Sequence, residues 1–210
     1  MTDVWQMIDD ERAQLAELGA NLTPEQWDAP SLCNGWRVRD VMGHIVGGAE
    51  LTTGQAVRAV LRHRFKIDTM LREEAIKAGN MSTSDLVSGL RGAVGSRRTP
   101  PGVKPVGTLV DTVVHRQDIR RPLGLPAPLT QDRVRIALEE LKETSASILP
   151  GKKRVAGLHL RATDMDWSAG GVGEPEVSGT GEALLMAMAG RSVALGDLNG
   201  PGVETLRARI

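Results

Sequence analysis

An α+β protein, a helical bundle followed by a small mixed lobe, is what this sequence predicts, and three observations carry that expectation. Up to about Pro150 the apolar residues recur at helical spacing between short breaks. Beyond it they alternate, and glycine becomes frequent. The length of 210 residues, with 40% apolar and 25% charged side chains, suffices for a real hydrophobic core. The expected division is therefore a bundle over 1–149 and a smaller domain over 150–210.

Five or six helices account for the first region. One spans about Asp3 to Leu18, with Trp5, Ile8, Leu15 and Leu18 on its apolar side. Thr23-Pro-Glu-Gln reads as a capping box opening a short turn that carries Trp27: threonine caps, proline suits the first helical position, and glutamine reaches back. A long helix is expected from Trp36 to about His63, striped by Val38, Val41, Met42, Ile45 and Ala49. Another follows over about Ile67 to Lys77, and Ser82-Thr-Ser-Asp opens one reaching Val94. After the loop at Arg97-Arg-Thr-Pro-Pro-Gly, a helix from Val106 to Arg120 stops before Pro122. Thr130 caps the last, in which Val134, Ala137, Leu138 and Leu141 repeat at three and four.

In the second region Leu158, Leu160 and Ala162 alternate with His159, Arg161 and Thr163, the pattern of a half-buried strand. A hairpin or turn over Asp164–Gly173 carries Trp167, and Glu176-Val-Ser-Gly is a short strand. Glu182 to Ala189 is a small apolar helix ended by Gly190, and Val203 to Arg209 a last short one.

Composition excludes several functions. A formal net charge of +0 and scattered short basic clusters provide no field for nucleic acid or an anionic membrane. Aromatic residues are 2% of the chain and tyrosine is absent, so base-stacking platforms are scarce. No apolar run approaches the length of about 20 residues that spans a bilayer, and the acidic start does not read as a signal peptide. One cysteine, Cys33, cannot form an intramolecular disulfide and fits a reducing, cytoplasmic setting. It reads as a buried structural thiol rather than a nucleophile, since no basic cluster adjoins it. Serine-hydrolase and nucleotide-binding motifs are missing. No long apolar seam argues for an obligate dimer, so a monomer or weak dimer is expected.

Asp111-Thr-Val-Val-His115 places a carboxylate and an imidazole on one helical face, within reach of a shared ion. That donor pair suits zinc or another first-row divalent metal. Leu109, Val110, Val113 and Val114 form the opposite, apolar side, so the face of Thr108, Asp111, His115 and Asp118 meets either water or a cavity between helices. His44 is a possible third ligand, at the margin of the long helix's stripe, with Gly47 and Gly48 just beyond it leaving room. Equally, it suits a hydrogen-bonded boundary position. His63, among arginines, and His159, on the outer side of a strand, are poor candidates.

The run Cys33-Asn-Gly-Trp-Arg-Val-Arg-Asp-Val-Met-Gly-His44 resembles the N-terminal signature of the mycothiol-dependent maleylpyruvate isomerase family, DinB-like metal-binding four-helix bundles. Val114-His-Arg-Gln-Asp-Ile-Arg-Arg-Pro-Leu-Gly124 is similar to its second signature, and the tail from Gly157 to Trp167, from Gly179 to Arg191 and from Leu198 to Gly202 also fits. The resemblance implies an antiparallel four-helix bundle with a small C-terminal domain. It further implies one divalent metal ion, zinc foremost, held by His44, Asp111 and His115. At Asp111 the chain departs from the isomerase, whose ligand is glutamate, and the shorter side chain puts the isomerase's own substrate in question. Asp118 is either an acceptor that orients a ligand or a surface or capping residue.

The function implied is a metal-dependent enzyme using mycothiol, or another small thiol, to isomerise a small electrophile or to transfer the thiol to it. Mycothiol in turn implies an actinobacterial-type cytosol. No separate general base is nominated. The alternative is a metal-containing binding or sensor module without turnover, and a further one is a purely structural helical protein.

Overall fold

The structure is a computed structural model, and it describes residues 3–126, 128–146 and 149–210. The chain forms two compact units, Met1–Ala127 and Pro128–Ile210. The change in sequence character near Pro150 thus lies inside the second unit, whose first helix has the apolar spacing of the bundle helices.

The first unit contains α1 (Val4–Ala20), α2 (Pro24–Asp28), α3 (Val38–Glu50), α4 (Thr53–Arg62), α5 (Ile67–Gly79), α6 (Thr83–Ala93) and α7 (Pro105–Arg120). Two of the expected caps form: Thr23 and Gln26 complete their box, and Ser82 accepts from the Asp85 N–H. Asp3 also accepts from the Trp5 N–H, whereas Thr130 stands at the N-cap position of its helix without a side-chain cap bond. The single helix expected from Trp36 to His63 is two. Leu51 leaves the helical region at ψ 119°, and Thr52 with Gln55 makes a fresh capping box that starts α4.

Four helices close a ring: α1 packs on α6 and α7, and α3 packs on the same two. The core between them includes Leu15, Val41, Met42, Ile45, Leu86, Leu90 and Ile119, and Trp27 covers it from α2. Helix α5 lies along α3, and their approach depends on glycine. A Cβ at Gly43 would stand 2.6 Å from the Gly79 nitrogen, and one at Gly79 would stand 2.8 Å from the Asp40 Cα.

Helix α7 departs most from its sequence pattern. Its apolar side is buried as expected, yet Thr108, Thr112, His115, Arg116, Gln117 and Asp118 are buried too. Apart from Asp111, the polar stripe therefore faces the protein interior and not water. Burial on this scale demands partners. Arg116, 1% exposed, forms a 2.9 Å ion pair with the buried Glu11 of α1, and its guanidinium also donates to the Gln14 side chain.

The second unit contains α8 (Gln131–Glu143), α9 (Gly151–Val155), β1 (His159–Ala162), β2 (Ser168–Ala169), β3 (Glu176–Gly179), α10 (Gly181–Met188), a 3-10 turn at Ser192–Asp197 and α11 (Val203–Arg207). The sheet order is β2-β1-β3, with β2 antiparallel to β1 and β3 parallel to it. Leu160 and Ala162 point inward, as their alternation requires, and α10 packs on α8. Gly190 follows α10 at φ +90°, the left-handed turn expected of it. Short α9 and the 3-10 turn have too few apolar repeats to show in sequence.

Removing one partner of a buried ion pair leaves the other charge unmatched, so Glu11→Ala is expected to lower the unfolding free energy of the first unit by about 3–5 kcal/mol. Urea denaturation measures it; a loss below about 1 kcal/mol would mean that Arg116 is not held as a buried ion.

Candidate metal centre

His44 sits on the second turn of α3, and Asp111 and His115 sit one turn apart on the inward polar stripe of α7, which packs against α3. The start of α3 is fixed by Asp40. Its buried carboxylate accepts from the Arg37 N–H at 2.8 Å and pairs with the Arg37 guanidinium at 2.9 Å. The structure brings all three sequence candidates together. Asp111 Oδ1 lies 3.5 Å from His44 Nε2 and 3.3 Å from His115 Nε2. The two imidazole rings meet edge to face at 4.9 Å. Although aspartate is shorter than glutamate, its one oxygen still reaches both nitrogens. His63 lies elsewhere, beside Glu73 and Glu74 of α5.

Burial is graded across the three residues. His115 is buried and His44 is 19% exposed, while the Asp111 side chain is 45% exposed. The donor atoms therefore converge at a point open on the Asp111 side. Among the described residues they form one of two groups with three ligand-type atoms within 4.8 Å of one another; the other is Cys33, His115 and Asp118.

Separations distinguish the two groups. Nitrogen and oxygen ligands about 2.0–2.2 Å from a tetrahedral ion stand roughly 3.3–3.5 Å apart. The contacts at Asp111 match that spacing. In the second group His115 Nδ1 is 2.8 Å from Asp118 Oδ2, and Cys33 Sγ is 3.1 Å from the same oxygen. Those are hydrogen-bond lengths, with both donors directed at one carboxylate. The first group has the spacing of ligands, and the second supports one of them.

Asp118 is fully buried, and its Oδ2 lies 2.8 Å from His115 Nδ1, the geometry in which the ring donates from Nδ1 to a carboxylate. That leaves Nε2 as the nitrogen facing Asp111 and His44, the one free to ligate once it gives up its proton. A carboxylate behind a histidine ligand is the usual device for orienting it and raising its basicity.

A loop missed by sequence reasoning closes the site from behind. Residues 31–36 fold on themselves, with the Ser31 N–H donating to the Trp36 carbonyl at 3.0 Å. The Leu32 N–H donates to the Asp118 carbonyl at 3.0 Å and pins the loop to α7. Trp36 then lies 5.2 Å from the His44 ring and 5.9 Å from that of His115. Only the shared run from Cys33 to His44 signalled that Cys33 and Trp36 belong with the site.

Charge is strongly coupled here. Desolvation alone would lower the His115 pKa, but the Asp111 charge and hydrogen bonds to Asp111, Asp118 and Cys33 outweigh it and hold the ring well above its ordinary value. Desolvation would raise the Asp111 carboxyl; the attraction of His115 and His44 wins and holds it below the carboxylate range. The pair thus favours a proton on His115 and a charged Asp111.

Comparison with known proteins follows the same lines. A family model described as the mycothiol maleylpyruvate isomerase N-terminal domain matches residues 8–120, a span holding His44, Asp111 and His115. A crystal structure of a histidine-to-alanine mutant of the mycothiol-dependent maleylpyruvate isomerase is similar, with a TM-score of 0.60 at 14% identity. The match covers 94% of this chain and 91% of that one. A crystal structure of the mycothiol-dependent maleylpyruvate isomerase matches over the same shares, with a TM-score of 0.55 at 13% identity. At such identities the likeness is one of fold. No curated protein matches the chain.

Two outcomes are expected. Since an ion must displace the proton on His115, apparent metal affinity should rise about tenfold per pH unit below the raised pKa of that ring and level off above it. Competitive metal titration across neutral pH measures this, and a flat profile would exclude His115 Nε2 as the atom that exchanges proton for metal. Asp118→Ala should weaken metal binding about 10- to 100-fold while helical circular dichroism is retained.

Proposed function

Because the chain belongs to the mycothiol maleylpyruvate isomerase N-terminal-domain family through residues 8–120, we propose that it is a divalent-metal enzyme that uses a small thiol on an electrophilic substrate. His44, Asp111 and His115 are the protein ligands in this reading. The observation that carries it is the single Asp111 oxygen 3.3 and 3.5 Å from two imidazole Nε2 atoms.

The donor set fits a first-row divalent ion: two imidazole nitrogens and one carboxylate oxygen leave coordination positions free, as a catalytic site needs. When bound, the metal supplies Lewis acidity that favours thiolate over thiol at neutral pH. Around that centre Asp118 holds the proton on His115 Nδ1 and directs Nε2 forward. Trp36 lies against both imidazoles and limits water on that side. The exposed Asp111 side is the approach left for thiol and substrate.

Addition of a thiolate sulfur to an electron-poor carbon turns a double bond into a rotatable single bond, and elimination restores both the double bond and the thiol. That sequence isomerises a cis alkene such as maleylpyruvate without net oxidation. Protonation of the adduct instead completes a thiol transfer. Mycothiol is the proposed thiol, the one named in the family's description. Among the described residues, no helix is long and apolar enough to cross a membrane.

Metal-loaded protein incubated with mycothiol, maleylpyruvate and other small electrophiles is expected to isomerise one of them or to consume thiol. His115→Ala should abolish both metal uptake and turnover without loss of helicity. Full metal occupancy with no reaction anywhere in the series would favour the non-catalytic binding module. Less than about a tenth of an equivalent of metal in protein supplied with zinc, where a structural or catalytic site fills, would end the metal reading.

A further inference from the structure

We propose that Cys33 is a positioning residue for the ligand His115, acting through the Asp118 carboxylate; this rests on the metal-site reading and deepens it. Asp118 Oδ2 receives two donors, His115 Nδ1 at 2.8 Å and Cys33 Sγ at 3.1 Å, while Sγ itself stands 3.6 Å from Nδ1. A carboxylate with no exposure depends on such donors to satisfy its oxygens and to keep one orientation. The bond to Oδ2 restrains the imidazole about its χ2 bond, and the thiol helps to hold that oxygen from beside the ring, the three atoms forming a triangle with sides of 2.8, 3.1 and 3.6 Å.

The backbone that carries the thiol is fixed by its loop. The Cys33 N–H donates to Ser31 Oγ at 3.1 Å, the Ser31 hydroxyl donates to the Trp36 carbonyl at 2.9 Å, and the Trp36 N–H donates to the Cys33 carbonyl at 3.0 Å. With Leu32 bonded to the Asp118 backbone, loop and carboxylate move as one body. Cysteine also suits the task chemically. A thiol is a weak donor, so it aligns the carboxylate while leaving most of its charge for His115, which is what makes the ring a better ligand. The loop that places Trp36 against both imidazoles thereby sets the orientation of the second one.

The test uses full-length protein and cobalt(II), whose visible absorption reports ligand geometry. Cys33→Ala is expected to weaken cobalt affinity about 3- to 10-fold, less than loss of Asp118 itself, and to change the visible band. Cys33→Ser, which keeps a donor, should restore both to near wild type. In the Asp118→Ala background Cys33→Ala should cause no further loss, because the two act in series. Wild-type affinity and spectrum in Cys33→Ala, or losses that add in the double variant, would overturn the proposal. A sulfur-to-cobalt charge-transfer band in wild type would do so as well, by making Cys33 a ligand. If Cys33→Ala fails to fold, Cys33→Val, which fills the space without a donor, gives the same comparison. Wild-type protein that takes up no cobalt would instead remove the metal reading itself, and the proposal with it.

Discussion

Helix α7 buries its apolar face and, Asp111 apart, most of its polar one, and a helix so placed needs partners for the charged groups on the side that a surface helix would offer to water. The first unit is arranged around that requirement. Glu11 enters the core from α1 to meet Arg116, which ties α1 to α7. The loop ahead of α3 brings Cys33 to Asp118, and Asp118 in turn meets His115. These contacts fix the rotation of α7 about its own axis more tightly than apolar packing alone would, because an ion pair tolerates less displacement than a methyl contact.

With that rotation set, the remaining polar groups of the stripe are the ones without a structural task. Asp111 and the Nε2 edge of His115 project toward His44 and leave a half-open cluster of like-purposed donors. Their mutual attraction raises the pKa of His115 and lowers that of Asp111. A site that holds a proton in place of a metal is preorganised for the exchange, and the same coupling that stabilises the proton steers a divalent ion there.

Much of the fold was legible in the chain, for local reasons. Thr23 with Gln26, Ser82 and the proline after Arg121 mark helix ends by hydrogen bonding and by the missing N–H, and the alternation of Leu158, Leu160 and Ala162 marks a strand. The break at Leu51 was hidden because the Thr52–Gln55 cap interrupts a run with no proline. The site was legible in part. Asp111 and His115 stand out by spacing, and His44 by its signature. The inward aspect of their face was not, because Thr108, Gln117 and Asp118 look like surface residues until Glu11, more than a hundred positions away, is seen to claim Arg116. From sequence Cys33 reads as a buried structural thiol because its partners lie 82 and 85 residues on, a relation that composition near the cysteine cannot report.

X-ray absorption at the metal edge of zinc-loaded protein tests the central claim most directly. The account predicts a first shell of nitrogen and oxygen alone at about 2.0–2.1 Å, with the multiple-scattering signature of two imidazoles. A sulfur neighbour at about 2.3 Å would contradict it, because the ion would then lie between Cys33 and Asp118 and the cluster at Asp111 would not be the metal centre.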